Sequence, residues 1–352
     1  MDFFVVNGKI WQKKGQFCES LILRNGRINA AGTAEALERI SGGCRLLDCG
    51  GKTVIPGLFD PYGEPPQLPQ TGRTGWLEGQ LAQFSRAGIT SIQWPDWDGQ
   101  LTRVLLPILR MREGIKPQPR LQLLTRQNRG WQVGFGGRLA RTEELPYLWR
   151  QGGQILVPIL HRRELEQVLR QLTLWPLPAG NPRRLTLVGA DCTDSAQLQA
   201  LGTLGVGLIG FPTKLEHRLQ QCAGEAGGLT ETCCAWRTLS RLGAKVAFGG
   251  IDRVAPFAGL KQAVCRSCVS LTGESLPSKE GVSVEEGLEA MTADAAWMDF
   301  QEDFVGRLLP GYRADLLVLS GDPFTCPPEA LDRLHPVLTM TGGEILWQEN
   351  NH

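Results

Sequence analysis

The sequence predicts an α/β protein built as a (β/α)8 TIM-like barrel, with a small β-sandwich domain assembled from both chain ends. Three observations carry that reading. Strand-like and helix-like patterns alternate through the middle of the chain, short strand patterns with turn dipeptides gather near both termini, and an apolar run ending in Pro56-Gly57-Leu58-Phe59-Asp60 joins the two regions. Alternation of this length is the pattern of a parallel sheet closed into a barrel, and strands at both ends of a helix-rich chain form one separate β-layer.

In chain order, residues 3–11, 20–23 and 27–31 read as short strands. Asn7-Gly8 and Asn25-Gly26 separate them, a dipeptide suited to tight turns because both residues tolerate positive φ. Residues 316–319, 337–340 and 344–347 supply the matching strands at the other end, the last two joined by Gly342-Gly343. Barrel strands are expected at 54–59, 90–94, 120–125, 154–159, 184–188, 206–211 and 245–248, and helical periodicity fills 76–87, 163–172, 195–204 and 232–242. An eighth strand is assigned to residues 131–137, where glycines blur the apolar signal. The expected division is therefore 1–53 with 305–352 for the composite β-domain and 54–304 for the barrel.

Composition excludes several function classes. The 352 residues are 42% apolar, as in an ordinary folded protein, and the formal net charge of +1 provides no field for nucleic acid or an anionic membrane. Met1 to Val6 carries no basic region before an apolar core, and no apolar run reaches membrane-spanning length, so a cytoplasmic location is expected. The ten cysteines are scattered through a large chain and read as reduced, buried thiols. Cys265 and Cys268 form a lone Cys-x-x-Cys, with Cys233-Cys234 as nearest partners, and all four are read as core cysteines rather than a zinc site. Gly134-Phe135-Gly136-Gly137 lacks the Gly-Lys-Ser/Thr ending of a phosphate loop.

Pro56-Gly57-Leu58-Phe59-Asp60-Pro61-Tyr62-Gly63-Glu64 resembles the first barrel strand of the amidohydrolase superfamily, whose pattern is Pro-Gly-aliphatic-aliphatic-Asp-x-His-x-His. The run from Val305-Gly306 through Leu309-Pro310-Gly311-Tyr312-Arg313-Ala314-Asp315-Leu316 is similar to the signature by which such chains re-enter the β-domain, and residues 282–292 are similar to the helix before it. Asp322-Pro323 and residues 249–257 look most like the N-substituted formamide deformylase branch, of which this chain would be a shortened member.

The resemblance implies metal ligands at fixed places, and this sequence departs from them. Both histidines of the first strand, which bind metal in the family, are replaced by Tyr62 and Glu64. The strand-five and strand-six histidines fall on Pro158 and Gly189, and the strand-eight aspartate falls on Ile251, or on Asp252 with a shift of one. No lysine occurs between Lys116 and Lys214 to bridge two metals from strand four. Only four histidines exist, His161, His217, His335 and His352, whereas a hydrolytic zinc needs about three protein donors and an open water position. Neither a metal nor another cofactor is expected.

Polar residues remain after the predicted strands, where barrel sites form. Tyr62, Glu64, Trp94, Asp96, His161, Asp191 and Asp252 are the candidate ligand-binding residues, with Asp98 and Trp97 beside them. Tyr62, Glu64, Asp252 and His161 are the catalytic candidates, a carboxylate working with a phenol or imidazole; set against this, loop carboxylates commonly cap helices. Three functions follow. The first is an amidohydrolase-like protein with a degenerate metal site that binds a small molecule. The second is a hydrolase of non-peptide carbon–nitrogen bonds with an unusual or absent metal. The third is a subunit-docking protein. Assembly with further copies of itself stays open.

Overall fold

The computed structural model describes residues 1–112, 118–126, 135–178, 180–226, 232–266 and 278–349. Eight parallel strands form one sheet in chain order: Leu58–Asp60, Ile89–Asp96, Arg120–Thr125, Phe135–Leu139, Ile155–Pro158, Thr186–Val188, Gly207–Gly210 and Lys245–Phe248. They are the first to eighth barrel strands below. Several, such as Ile155–Pro158 and Thr186–Val188, are short apolar runs because both faces are covered. Leu123, Val157, Leu187 and Leu208 point outward to the helices, while their neighbours Leu124, Leu156, Val188 and Ile209 fill the barrel interior. The interior is completed from below by Ala295, Ala296 and Met298.

The sheet's two edge strands are joined by a side chain at the mouth. The carboxylate of Asp60, ending the first strand, accepts the backbone N–H of Gly250 at 3.0 Å and of Ile251 at 2.9 Å, both just past the eighth strand. It also accepts the N–H of Tyr62 at 3.2 Å. Burial pushes this carboxyl up to about 6, against the opposing pull of those three backbone donors and of Arg253.

The expected strand 54–59 is two strands in different sheets. Thr53–Pro56 pairs with Leu316–Leu319 and Lys9–Lys13 in a six-stranded sheet, and only Leu58–Asp60 enters the barrel. Gly57 makes the transfer: a Cβ there would sit 2.3 Å from Thr90 Oγ1, too close for any side chain. Likewise residues 3–11 divide at Asn7, φ 54°, between Phe3–Val6 in a four-stranded sheet and Lys9–Lys13 in the six-stranded one. The two sheets enclose their own core, including Val5, Ile10, Leu21, Leu23, Val54, Leu316 and Met340. Asn25-Gly26 is the hairpin turn expected, with Arg24 opposite Arg27.

The fourth barrel strand begins at Phe135; the earlier part of the expected span 131–137 lies outside the described residues. The expected helix 232–242 is shorter, Trp236–Arg241, because Cys234 adopts φ 49° and turns the chain before it. Among the described residues, no helix is long and apolar enough to cross a membrane.

The reading of all cysteines as reduced is corrected at one pair: Cys192 and Cys222 form a disulfide, with Cα atoms 5.0 Å apart and a sequence separation of 30. Cys192 follows the sixth strand, and Cys222 lies on helix Leu215–Ala226 after the seventh. Neighbouring (β/α) units bring them together, a juxtaposition that no local spacing announces. Closing a loop of this size is worth about 3.6 kcal/mol in the chain-entropy account. Reduction, or Cys222→Ala, is therefore expected to lower the urea midpoint by an equivalent amount. An unchanged midpoint after complete reduction, verified by mass spectrometry, counts against a stabilising bridge. Cys265 is partly exposed, Cys233 and Cys234 are buried, and Cys268 lies outside the described residues.

Candidate functional site

A cavity of about 1060 Å³ opens at the carboxyl ends of the barrel strands. Of the residues expected there, it gathers Tyr62, Glu64, His161 and Asp252. Trp94, Asp96 and Asp191 do not line it, and each has a local structural explanation.

Trp94 is fully buried on the outer face of the second strand, with Phe84 at a ring-centroid distance of 5.7 Å. Alternation along the strand decides this, since the adjacent Gln93 faces inward to Asp299 at 2.7 Å. Asp96 caps helix Gln100–Arg112 by accepting the N–H groups of Leu101 at 3.1 Å and Thr102 at 2.8 Å. Asp98 accepts the N–H of Gln100 at 3.0 Å, and Trp97 lines a separate, smaller cavity. Asp191 is completely buried and bonds Arg218 Nε at 2.8 Å and Trp236 Nε1 at 3.1 Å.

The four residues at the cavity are differently engaged. Tyr62 packs edge-to-face on Phe211 at 6.0 Å, and burial raises its phenol above the ordinary value, against a hydrogen bond with Trp97. Glu64 is largely exposed and faces Lys214 Nζ at 3.6 Å. His161 precedes helix Arg162–Leu174, and its Nδ1 lies 2.7 Å from Glu225 Oε1. Asp252 accepts the N–H groups of Val254 at 2.7 Å and Ala255 at 2.8 Å, a turn of its own loop. No two of the catalytic candidates are hydrogen-bonded to one another in this arrangement.

Sequence reasoning missed the two arginines of the cavity, Arg218 and Arg253. A single arginine on a helix or loop is ordinarily solvated, so neither carried a signal. Arg218 projects from helix Leu215–Ala226 across the ends of the fifth and sixth strands, where it bonds the carbonyl oxygens of Gly189, Ile159 and Leu160. Gly189 has φ 77°, and a Cβ there would stand 3.6 Å from Arg218 Nη2.

The amidohydrolase family model matches residues 151–347, more than half of the chain. This chain belongs to the amidohydrolase family. It is 27% identical over 219 residues to the putative amidohydrolase YtcJ of Bacillus subtilis (strain 168), an overlap covering 61% of this chain and 40% of that protein. The chain thus spans about two fifths of the curated relative's length. Among solved structures, an uncharacterized metal-dependent hydrolase from Pyrococcus furiosus superposes with a TM-score of 0.71 at 14% identity, covering 92% of this chain and 100% of that one. A 5-methylcytosine deaminase from Klebsiella pneumoniae gives 0.69 at 16% identity, covering 99% and 98%. These likenesses establish the shared fold.

In this amidohydrolase-family chain, the positions to which the family pattern assigns ligands can be followed in space. Pro158 ends the fifth strand, Gly189 follows the sixth, and Ile251 is buried with its N–H given to Asp60. None of the three has a side-chain donor atom, whereas Asp252, which a register shift of one assigns instead of Ile251, has a carboxylate that accepts the N–H groups of Val254 and Ala255. Among the described residues, no group of three or more His, Cys, Asp or Glu side chains is placed to hold a metal ion.

Proposed function

We propose that this amidohydrolase-family protein has a degenerate metal site and uses the barrel mouth to bind a small molecule. The observation supporting it is that Pro158, Gly189 and, in the unshifted register, Ile251 stand where the resemblance puts ligands, with Arg218 in the space beside Gly189. The residues present do not fit a hydrolytic ion. Tyr62 would have to lose a proton whose removal burial makes harder, and Glu64 already faces a lysine. The Arg218 guanidinium fills the space beside Gly189 and spends its donors on Asp191 and on backbone carbonyl oxygens that a cation would otherwise meet. The size of the cavity supports a small-molecule site at the barrel mouth.

Family membership supports a second reading, hydrolysis of non-peptide carbon–nitrogen bonds without the usual metal, with Glu64 and Asp252 as the carboxylates facing the cavity. Incubation with a panel of amides and N-substituted formamides, with and without added zinc or manganese, separates the two. No turnover under either condition is expected. Turnover that depends on added metal overturns the degenerate-site reading, and metal-independent turnover abolished by Glu64→Gln or Asp252→Asn establishes the second.

A further inference from the structure

The two cavity arginines differ in how many donors they have left. A guanidinium carries five N–H groups in a planar fork. Arg218 uses its whole fork: Nε on Asp191, Nη1 on Leu160 O and Gln221 Oε1, Nη2 on Gly189 O and Ile159 O. It braces the cavity floor and has nothing to offer a ligand.

Arg253, on the loop after the eighth strand, has donors to spare. Its Nη1 bonds Gln80 Oε1 at 2.5 Å, its Nη2 bonds the carbonyl oxygen of Glu64 at 3.1 Å, and its carbon lies 4.9 Å from the centroid of the Phe84 ring. Both acceptors are neutral. The three carboxylates whose charges reach it are engaged elsewhere, Asp60 by three backbone N–H groups, Asp252 by two and Glu64 by Lys214. Among the described residues, no ion pair is formed by this half-buried cation. A guanidinium with neutral contact partners keeps donors for an anion, despite the more distant charges of Asp60, Glu64 and Asp252, and its fork matches a carboxylate in bidentate geometry. The same cavity offers an apolar wall of Tyr62, Phe211, Ile92 and Val188, with the two rings meeting edge to face.

We infer that the mouth binds a small aryl carboxylate, its anionic group on the open edge of Arg253 and its ring against Tyr62 and Phe211. The inference rests on the reading of the mouth as a small-molecule site. Isothermal titration of the full chain with benzoate and 3-phenylpropionate, beside neutral benzamide and 3-phenylpropionamide, tests it. At least one acid is expected to bind about tenfold or more tightly than its amide. Arg253→Gln is expected to erase that preference while leaving amide affinity unchanged, and Arg253→Lys to keep part of it. Amides binding as well as acids, or an acid preference that survives in Arg253→Gln, overturns the assignment to Arg253 while the small-molecule site stands. Failure of all four compounds to bind the unaltered protein overturns both.

Discussion

Replacing Arg218 by alanine is expected to destabilise the protein by about 3 to 5 kcal/mol, the usual cost of stranding one member of a buried ion pair. The pair is buried on both sides, with side-chain exposures of 9% for Arg218 and 0% for Asp191. Without the guanidinium, the Asp191 carboxylate keeps, among the described residues, only the indole N–H of Trp236 as a side-chain donor, and the carbonyl oxygens of Gly189 and Ile159 lose a shared partner. Unpaired buried acceptors carry their full desolvation cost. A double variant, Asp191→Leu with Arg218→Met, removes both charges and is expected to recover most of the loss, since apolar groups of similar volume commonly replace buried pairs at little cost. Urea titrations of the four proteins at neutral pH give the coupling directly. A single-variant cost below about 1 kcal/mol would show that the pair does not support the mouth.

The second large effect is a pH dependence centred on Asp299, buried at the closed end of the barrel beside Gln93. Burial pushes its carboxyl up to about 7, despite hydrogen bonds from Gln122 and Gln93 and the charges of Arg120 and Arg184. The folded protein therefore holds this proton more tightly than the unfolded chain does. Its carboxyl places no burden on stability below about pH 4, where both states are protonated. Between about pH 4 and 7 stability falls as pH rises, and three units correspond to about 4 kcal/mol. Asp60, raised to about 6, adds a decline of the same sign over the lower part of that range. Asp299→Asn is expected to flatten most of the curve measured by urea unfolding from pH 4 to 8. A variant that tracks the unaltered protein across this range would assign the dependence to other groups.

Why the barrel was legible, and the mouth only partly, follows from particular residues. Strands such as Ile155–Pro158 and Gly207–Gly210 are covered on both faces, so their sequences are apolar runs that no surface helix imitates. The fourth strand was blurred because Gly136 and Gly137 have no room for side chains: added Cβ atoms would lie 2.5 Å from Gln93 Nε2 and 2.3 Å from Leu156 Cδ1. Helix Gln100–Arg112 carries Pro107 in its interior, which breaks the expected pattern. At the mouth, Tyr62, Glu64, His161 and Asp252 were reachable because they follow strand ends directly. Trp94 and Gln93 differ by one step of strand alternation, and short apolar stretches do not fix that register. Arg218 and Asp191 stand 27 residues apart and meet only when two (β/α) units pack, so local spacing held no trace of the pair or of the adjoining Cys192–Cys222 bridge.

The central claim is the proposal that the barrel mouth holds no hydrolytic ion. Elemental analysis of protein purified without chelators tests it most directly. The account predicts zinc, manganese, iron and nickel each far below one atom per chain. One atom of any of them per chain, lost on Glu64→Gln or Asp252→Asn, would contradict it.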